Sequence, residues 1–231
     1  MRLNKFIAES GACSRRQADA AIAEGRVRVN GETATLGTQV GEGDRVELDG
    51  RPVQARLEFV YLALNKPVGI TCTTERHVEG NIIDFVGHPE RIFPIGRLDK
   101  DSEGLILLTN NGDIVNELLR VENRHEKEYE VTVDREVSDE FLRGMAHGVD
   151  ILGQRTLPCA VRRIGRNGFG IILTQGLNRQ IRRMCAVFDY QVRRLRRVRI
   201  NNLRLDGLGV GRWRDLDREE LRGLLPGRTR W

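Results

Sequence analysis

The stretch EKEYEVTVD, residues 126–134, alternates strictly and commits this chain to building a sheet. Lys127, Tyr129, Val131 and Val133 fall on one face, and a side-chain period of two matches a strand, not a helix. FVYLALNKP (59–67) reads as a buried strand stopped by Pro67, and FGIILT (169–174) as another. QVRRLRRVRI (191–200) returns to strand character, with short basic stretches between Val192, Leu195 and Val198. LNRQIRRMCAVF (177–188) is helical, placing Ile181, Met184, Cys185 and Phe188 on one apolar stripe. DREELRGLL sets Asp217 and Glu220 at capping-box spacing. Strands with helices between and after them predict an α+β domain on a mostly antiparallel or mixed sheet with flanking helices.

Residues 1–57 read as a separate small module of two helices and a β-ribbon, leaving 58–231 for the larger domain. Leu3, Phe6 and Ile7 have helical spacing. Ser14 and Gln17 form a second capping box, and Gly25 sits where that helix should end. Asn30-Gly31 and Asp49-Gly50 are tight-hairpin signals.

At 39% hydrophobic and 31% charged, the composition is that of a soluble globular protein. No apolar run approaches the roughly 20 residues needed to span a bilayer, and the polar start lacks a signal-peptide core, so a cytoplasmic location is expected. Cys13, Cys72, Cys159 and Cys185 show no metal-ligand or paired spacing; reduced, mostly buried thiols are expected, with no zinc site and no disulfide framework. Charge is segregated along the chain. Residues 58–154 carry 19 acidic against 10 basic side chains, and residues 155–231 carry 19 basic against 6 acidic. Twelve arginines and one carboxylate, Asp189, lie within 155–199, which suggests a polyanionic partner contacted by guanidinium groups.

In PIGRLDKDSEGLILLTNNGD (94–113), a polar loop from Arg97 to Glu103 is held between Ile95 and the apolar run Leu105–Leu108, with Gly96 and Gly104 permitting a tight backbone at each end. Asp99 and Asp101, beside Arg97 and Lys100, are both candidate ionised carboxylates; an isolated loop aspartate of this kind is more often an Asx-turn residue. Two carboxylates this close also suggest glycoside hydrolysis or a hard-metal site, but neither finds a supporting third ligand.

GRLDKDSEGLILLTNNGD resembles the signature of the RsuA/RluB/RluE/RluF group of pseudouridine synthases, and LNKPVGI (64–70), KEYEVTV (127–133) and GLNRQIRRM (176–184) resemble further motifs of that group in the same order. The opening, MRLNKFIAESGACSRRQADAAIAEGRVRVNGE, resembles the S4 RNA-binding module that the group carries. HEKEYEVTVD, ILGQRT and YQVRRLRRVRI are most similar to the RluF branch. The resemblance covers the chain to about residue 225 and implies an enzyme that isomerises a uridine in ribosomal RNA without metal or cofactor. It implies Asp99 as the nucleophile, Arg182 of the QIR motif as the cation keeping Asp99 charged, Tyr129 stacking on the base, and Leu195 closing the pocket beneath it. Arg97, Leu98, Lys100, Arg179, Gln180 and Ile181 flank this site as RNA contacts. In the S4-like module Asn4, Lys5, Ser14, Arg15 and Arg16 cluster at the helix starts as a phosphate-reading surface, joined by Arg26 and Arg28. The expected partner is a ribosomal RNA stem-loop of the large subunit, with a tRNA anticodon loop as second target, read by a monomer. The alternatives are a small-subunit target, or a non-catalytic ribosome-assembly factor that keeps the fold.

Overall fold

A computed structural model describes residues 1–54, 58–120 and 124–228. The expected module boundary at residue 57 lies outside the described residues. The chain forms two compact units: Met1–Val60 with Pro89–Arg91 and Asn110–Gly112, and the remainder.

In the first unit, α1 (Leu3–Glu9) buries Leu3 and Ile7. α2 (Arg15–Ala23) starts where local chemistry requires: Gln17 N–H donates to Ser14 Oγ at 3.2 Å, and Ser14 N–H donates to Gln17 Oε1 at 2.9 Å. Four short strands follow, β1 (Val27–Val29), β2 (Glu32–Thr33), β3 (Val46–Leu48) and β4 (Arg51–Val53), in the order β2-β1-β3-β4. Asn30 and Gly31, and again Asp49 and Gly50, all have positive φ, as two-residue hairpin turns demand.

The second unit runs β5 (Tyr61–Lys66), α3 (Ile82–Val86), β6 (Phe93–Ile95), β7 (Glu103–Thr109), α4 (Val115–Leu119), β8 (Lys127–Val133), α5 (Asp139–Ala146), β9 (Asp150–Ile151), β10 (Gln154–Arg155), β11 (Ala160–Arg163), β12 (Gly168–Leu173), α6 (Gln180–Val187), β13 (Val192–Ile200), β14 (Leu203–Arg204), β15 (Trp213–Asp215) and α7 (Arg218–Leu224). A nine-stranded sheet follows the order β11-β12-β8-β13-β7-β5-β15, with β14 on β13 and β6 on β7. Among the described residues its one parallel pairing joins β13 to β7, over Arg196↔Glu103 and Arg197↔Gly104. The fold is the mixed α+β arrangement expected.

That seam divides two hydrophobic cores. Val131, Phe141, Met145, Phe169, Ile171, Met184 and Leu195 pack over β12, β8 and the first half of β13. Phe141 meets Phe169 edge-on at 5.3 Å between centroids, and truncating either ring costs about 3–5 kcal/mol. Tyr61, Leu105, Leu107, Leu118, Ile200, Leu221 and Leu224 pack over β5, β7 and the end of β13. The aromatic and aliphatic side chains of these cores anchor the strands that carry the site.

Two features differ from expectation, the 177–188 helix and the cysteines, while β13 is as expected but bulged. The helix expected over 177–188 begins only at Gln180, because Arg179 adopts a left-handed conformation (φ 50°, ψ 36°) and Leu177 N–H donates to Gln180 Oε1. β13 takes the strand character expected, and register shifts between Val192 and Arg194 and between Arg197 and Arg199 re-aim its side chains. Of the cysteines only Cys185 is buried; the other three are half-buried.

Candidate active site

The loop between β6 and β7 is tied from several directions. Gly96 turns it at φ 74°. Leu98 is buried, and its N–H donates to Cys72 Sγ at 3.4 Å. Ser102 N–H donates to the Asp99 carbonyl at 3.0 Å, and Gly69 N–H to the Lys100 carbonyl at 2.7 Å. Lys66, fully buried at the end of β5, donates through Nζ to the carbonyls of Ser102 (2.7 Å) and Pro67 (2.8 Å). Burial pushes that ammonium below the ordinary lysine range, while Cys72, Asp101 and Asp99 oppose the fall. Gly104 closes the loop at φ 107°: a Cβ there would stand 2.2 Å from the Arg197 carbonyl oxygen, so only glycine fits at the seam. Asp99, held by its own backbone in this tight loop, is half-buried with 27% of its side chain exposed.

The cation beside Asp99 is not the one expected. Arg179 Nη1 lies 3.8 Å from Asp99 Oδ2, and the same guanidinium grips Asp101 bidentately at 3.0 and 2.9 Å. The Arg179 bonds hold the Asp101 carboxyl below the usual range. Arg182 turns instead to the next stretch of the loop. Its Nη2 donates to the Asp101 carbonyl at 2.8 Å and to Ser102 Oγ at 3.2 Å, and lies 3.3 Å from Asp101 Oδ2. Its Nη1 donates to the Val192 carbonyl at 3.3 Å. With these bonds made, Arg182 is a clamp on the loop rather than the ion partner of Asp99.

A cleft of about 480 Å³ opens over the β13–β7 seam. Asp99, Tyr129 and Leu195 all line it, as do Arg97, Leu98, Arg179, Gln180 and Ile181. Residues of both cores form its apolar walls, among them Leu107, Leu118, Leu173 and Ile200. Tyr129 is half-buried on β8, directly across the ladder from Arg197. Gln180, expected to touch RNA, is buried, with its amide engaged by Leu177 N–H (3.0 Å) and Met184 Sδ (3.8 Å). Lys100 and Arg182 are not among the lining residues. Sequence reasoning left Lys66, Lys127, Ser102 and Arg197 without roles. Lys127 was legible, since it shares the Tyr129 face of an alternating strand; burial of Lys66 and Arg197 depends on distant strands.

The segregation of charge along the sequence does not survive folding. Among the described residues nine of the twelve arginines of 155–199 form ion pairs, with Asp150, Glu128, Asp139, Glu136, Asp101, Glu103, Glu130 and Glu126. Eight of the nineteen carboxylates of the acidic central segment are thereby engaged by the basic one. On the cleft wall the balance differs: Arg97, Lys127, Arg179 and Arg197 face one carboxylate, Asp99.

In the first unit, Asn4 Nδ2 donates to Asp19 Oδ1 at 2.9 Å and Lys5 lies 3.4 Å from Glu9. Ser14 is occupied by its cap. Arg26 is bound bidentately by Asp49 at 2.7 and 2.6 Å. Arg15 and Arg16, at the start of α2, and Arg28 on β1 are exposed.

Residues 60–187 match the family described as RNA pseudouridylate synthase. The chain belongs to that family. Residues 1–46 of this pseudouridine synthase match the S4 domain. It is 56% identical over 223 residues to the dual-specificity RNA pseudouridine synthase RluF of Shigella flexneri, covering 96% of this chain and 77% of that one. Against the RluF of Salmonella typhi the identity is 57% over 222 residues, with 95% and 77% covered. The ribosomal large subunit pseudouridine synthase B of Bacillus subtilis is 35% identical, with 96% and 95% covered. A crystal structure of a pseudouridylate synthase superimposes with a TM-score of 0.72 at 30% identity, covering 97% of this chain and all of the other. The synthase is thus an RNA-modifying enzyme of the RsuA type with an S4 domain ahead of its synthase domain. Among the described residues no helix is long and apolar enough to cross a membrane.

Proposed function

We propose that this synthase isomerises one specific uridine of large-subunit (23S) ribosomal RNA and, as a second substrate, a uridine of a tRNA anticodon loop. The dual-specificity name borne by relatives of 56% and 57% identity supports the pair of substrates. The observation that carries the chemical reading is the convergence of Asp99, Tyr129 and Leu195 on one cleft, with a guanidinium 3.8 Å from the carboxylate.

The target base reaches these groups only after leaving its stack, at a cost of a few kcal/mol that is smallest in loops and bulges. Within the cleft Leu195 packs beneath the base and the Tyr129 ring stacks against it, its hydroxyl placed to move a proton during rearomatisation. Asp99 acts as nucleophile, kept charged by Arg179 and held in position by the loop bonds of Arg182 and Lys66. Asp99 bonds to C1′ as the bond from C1′ to N1 breaks, the base turns, and C5 joins C1′ as the bond to Asp99 is released. No metal or cofactor is called for. Arg97 and Arg179 meet the flanking phosphates, and Lys100, exposed on the same loop, extends that contact. Residues 1–57 form the accessory RNA-binding domain, with Arg15 and Arg16 its phosphate contacts and Asn4, Lys5 and Ser14 shaping the surface around them. The enzyme works as a cytoplasmic monomer.

The test is pseudouridine mapping of ribosomal RNA and tRNA from cells with and without this protein. The reading expects one 23S site and an anticodon-loop site to disappear together. A lost site in small-subunit RNA, or no lost site, contradicts it.

A further inference from the structure

Two cations on the cleft wall have no task in the reaction as described. Lys127 opens β8 two residues before Tyr129, on the same face. Arg197 sits opposite Tyr129 across the β13–β8 ladder, its guanidinium carbon 6.0 Å from the tyrosine ring centroid. Arg197 is 3% exposed. Its Nε donates to the Leu105 carbonyl at 2.6 Å, while its Nη2 is buried with no hydrogen-bond partner. Lys127 Nζ donates to the His125 carbonyl at 3.3 Å, and both side chains line the cleft. Burial, reinforced by Arg197, pushes the Lys127 ammonium down to about 8. Two cations on one cleft wall, Arg197 buried with an unmet donor and Lys127 half-buried, are unfavourable in the resting protein and call for an acceptor that arrives from outside. The carboxylate on this wall, Asp99, already has Arg179 beside it.

We propose that Lys127 and Arg197 form the electrostatic receptor for the uracil ring while it is detached from ribose. As Asp99 bonds to C1′ the C1′–N1 bond breaks and its electron pair stays on the base, so the free uracil carries a negative charge spread over N1, O2 and O4. C5 then gives an electron pair to C1′, forming the new carbon–carbon bond as the C1′–Asp99 bond breaks and its pair returns to the carboxylate; the proton on C5 departs and N1 takes one up. The isomerisation consumes no oxidant, reductant or co-reactant. The negative charge exists only between bond breaking and bond making. Cations aimed at it therefore lower the barrier without tightening the grip on the starting uridine. Arg197 supplies a fixed donor from the cleft wall, and Lys127 adds a second charge on the Tyr129 side. This rests on the uridine isomerisation proposed for the cleft and adds the groups that hold the base between the two bonds.

The experiment compares full-length Lys127→Met, Lys127→Arg and Arg197→Met with the parent chain in single turnover on unmodified 23S ribosomal RNA and tRNA anticodon-arm transcripts. RNA affinity and thermal melting are measured alongside. Each methionine variant should lose roughly a hundredfold in rate, the scale of a lost charge-stabilising donor. RNA affinity should stay within about threefold, and Lys127→Arg should recover most of the rate because it keeps the charge. Should Arg197→Met fail to fold, Lys127→Met decides alone, since that side chain is only partly buried. A parental rate in Lys127→Met overturns the proposal. So does a loss matched by weakened RNA binding, or one that arginine does not recover. A parent chain inactive on both transcripts strikes the substrate reading instead; the variants are then compared on total ribosomal RNA and tRNA from cells lacking the protein.

Discussion

Ion-paired arginines away from the cleft and the cations within it fare differently on folding, although two of the cleft cations, Arg179 and Arg197, come from the same basic stretch and the other two, Arg97 and Lys127, from the acidic segment before it. Arg162, Arg166, Arg196 and Arg199 each meet a carboxylate of the acidic segment, at 2.8 to 3.7 Å. In the cleft, Arg97, Lys127, Arg179 and Arg197 face Asp99. Positive charge counted along the sequence therefore says little about where RNA is met. Positive charge left under-compensated in a concave site says much more, because it is there that an incoming anion gains most.

The sharpest way to break this contrast is Arg182→Gln. Losing the bonds to Asp101 and Ser102 frees the catalytic loop, and a misplacement of about 1 Å costs on the order of a hundredfold in turnover. Single-turnover rates at saturating RNA measure it; an unchanged rate would show that the clamp is dispensable. Gly104→Ala attacks the seam beneath the cleft. Its Cβ collides with the Arg197 backbone, so the strands must part at a cost of about 1–3 kcal/mol, seen as a lowered Tm with reduced turnover.

A pH series separates the cleft from the rest of the fold more gently. Lys127 is cationic below about pH 8, so turnover should decline by up to about tenfold as pH rises one unit through that value. The stability sign is opposite. The folded chain releases this proton at about 8 and the unfolded chain only near 10.5, so the unfolded state binds more protons in that window and Lys127 adds stability as pH rises. Activity falling while Tm holds or rises is the expected signature; Lys127→Arg should remove the decline. The smallest effect belongs to the outer surface. Arg166→Gln opens an exposed pair with Glu136 and should change stability by less than about 1 kcal/mol, with turnover unaltered. A large loss of activity there would erase the distinction between the two regions.

What could be read beforehand follows the range of the interactions. The capping boxes at Ser14 and Asp217, the Asn30-Gly31 and Asp49-Gly50 turns and the alternation of β8 are decided within a few residues, and all appear in the fold. The late start of α6 was hidden because Arg179 takes its left-handed conformation while bonded to Asp101, 78 positions away. The pairing of Arg199 with Glu126 spans 73 positions, and charge counting cannot anticipate it. At the site, the loop and its glycines were legible, and Tyr129 with Lys127 lay on a readable face. Which of Arg179 and Arg182 stands beside Asp99 was not, because both are set by how α6 docks against the loop.

Asp99 is the group on which the proposed isomerisation depends most. Full-length Asp99→Asn keeps the size and shape of the side chain and removes the charge, so pseudouridine formation in target RNA should vanish while RNA affinity stays within about tenfold of the parent. Pseudouridine appearing at the parental rate in that variant would contradict it.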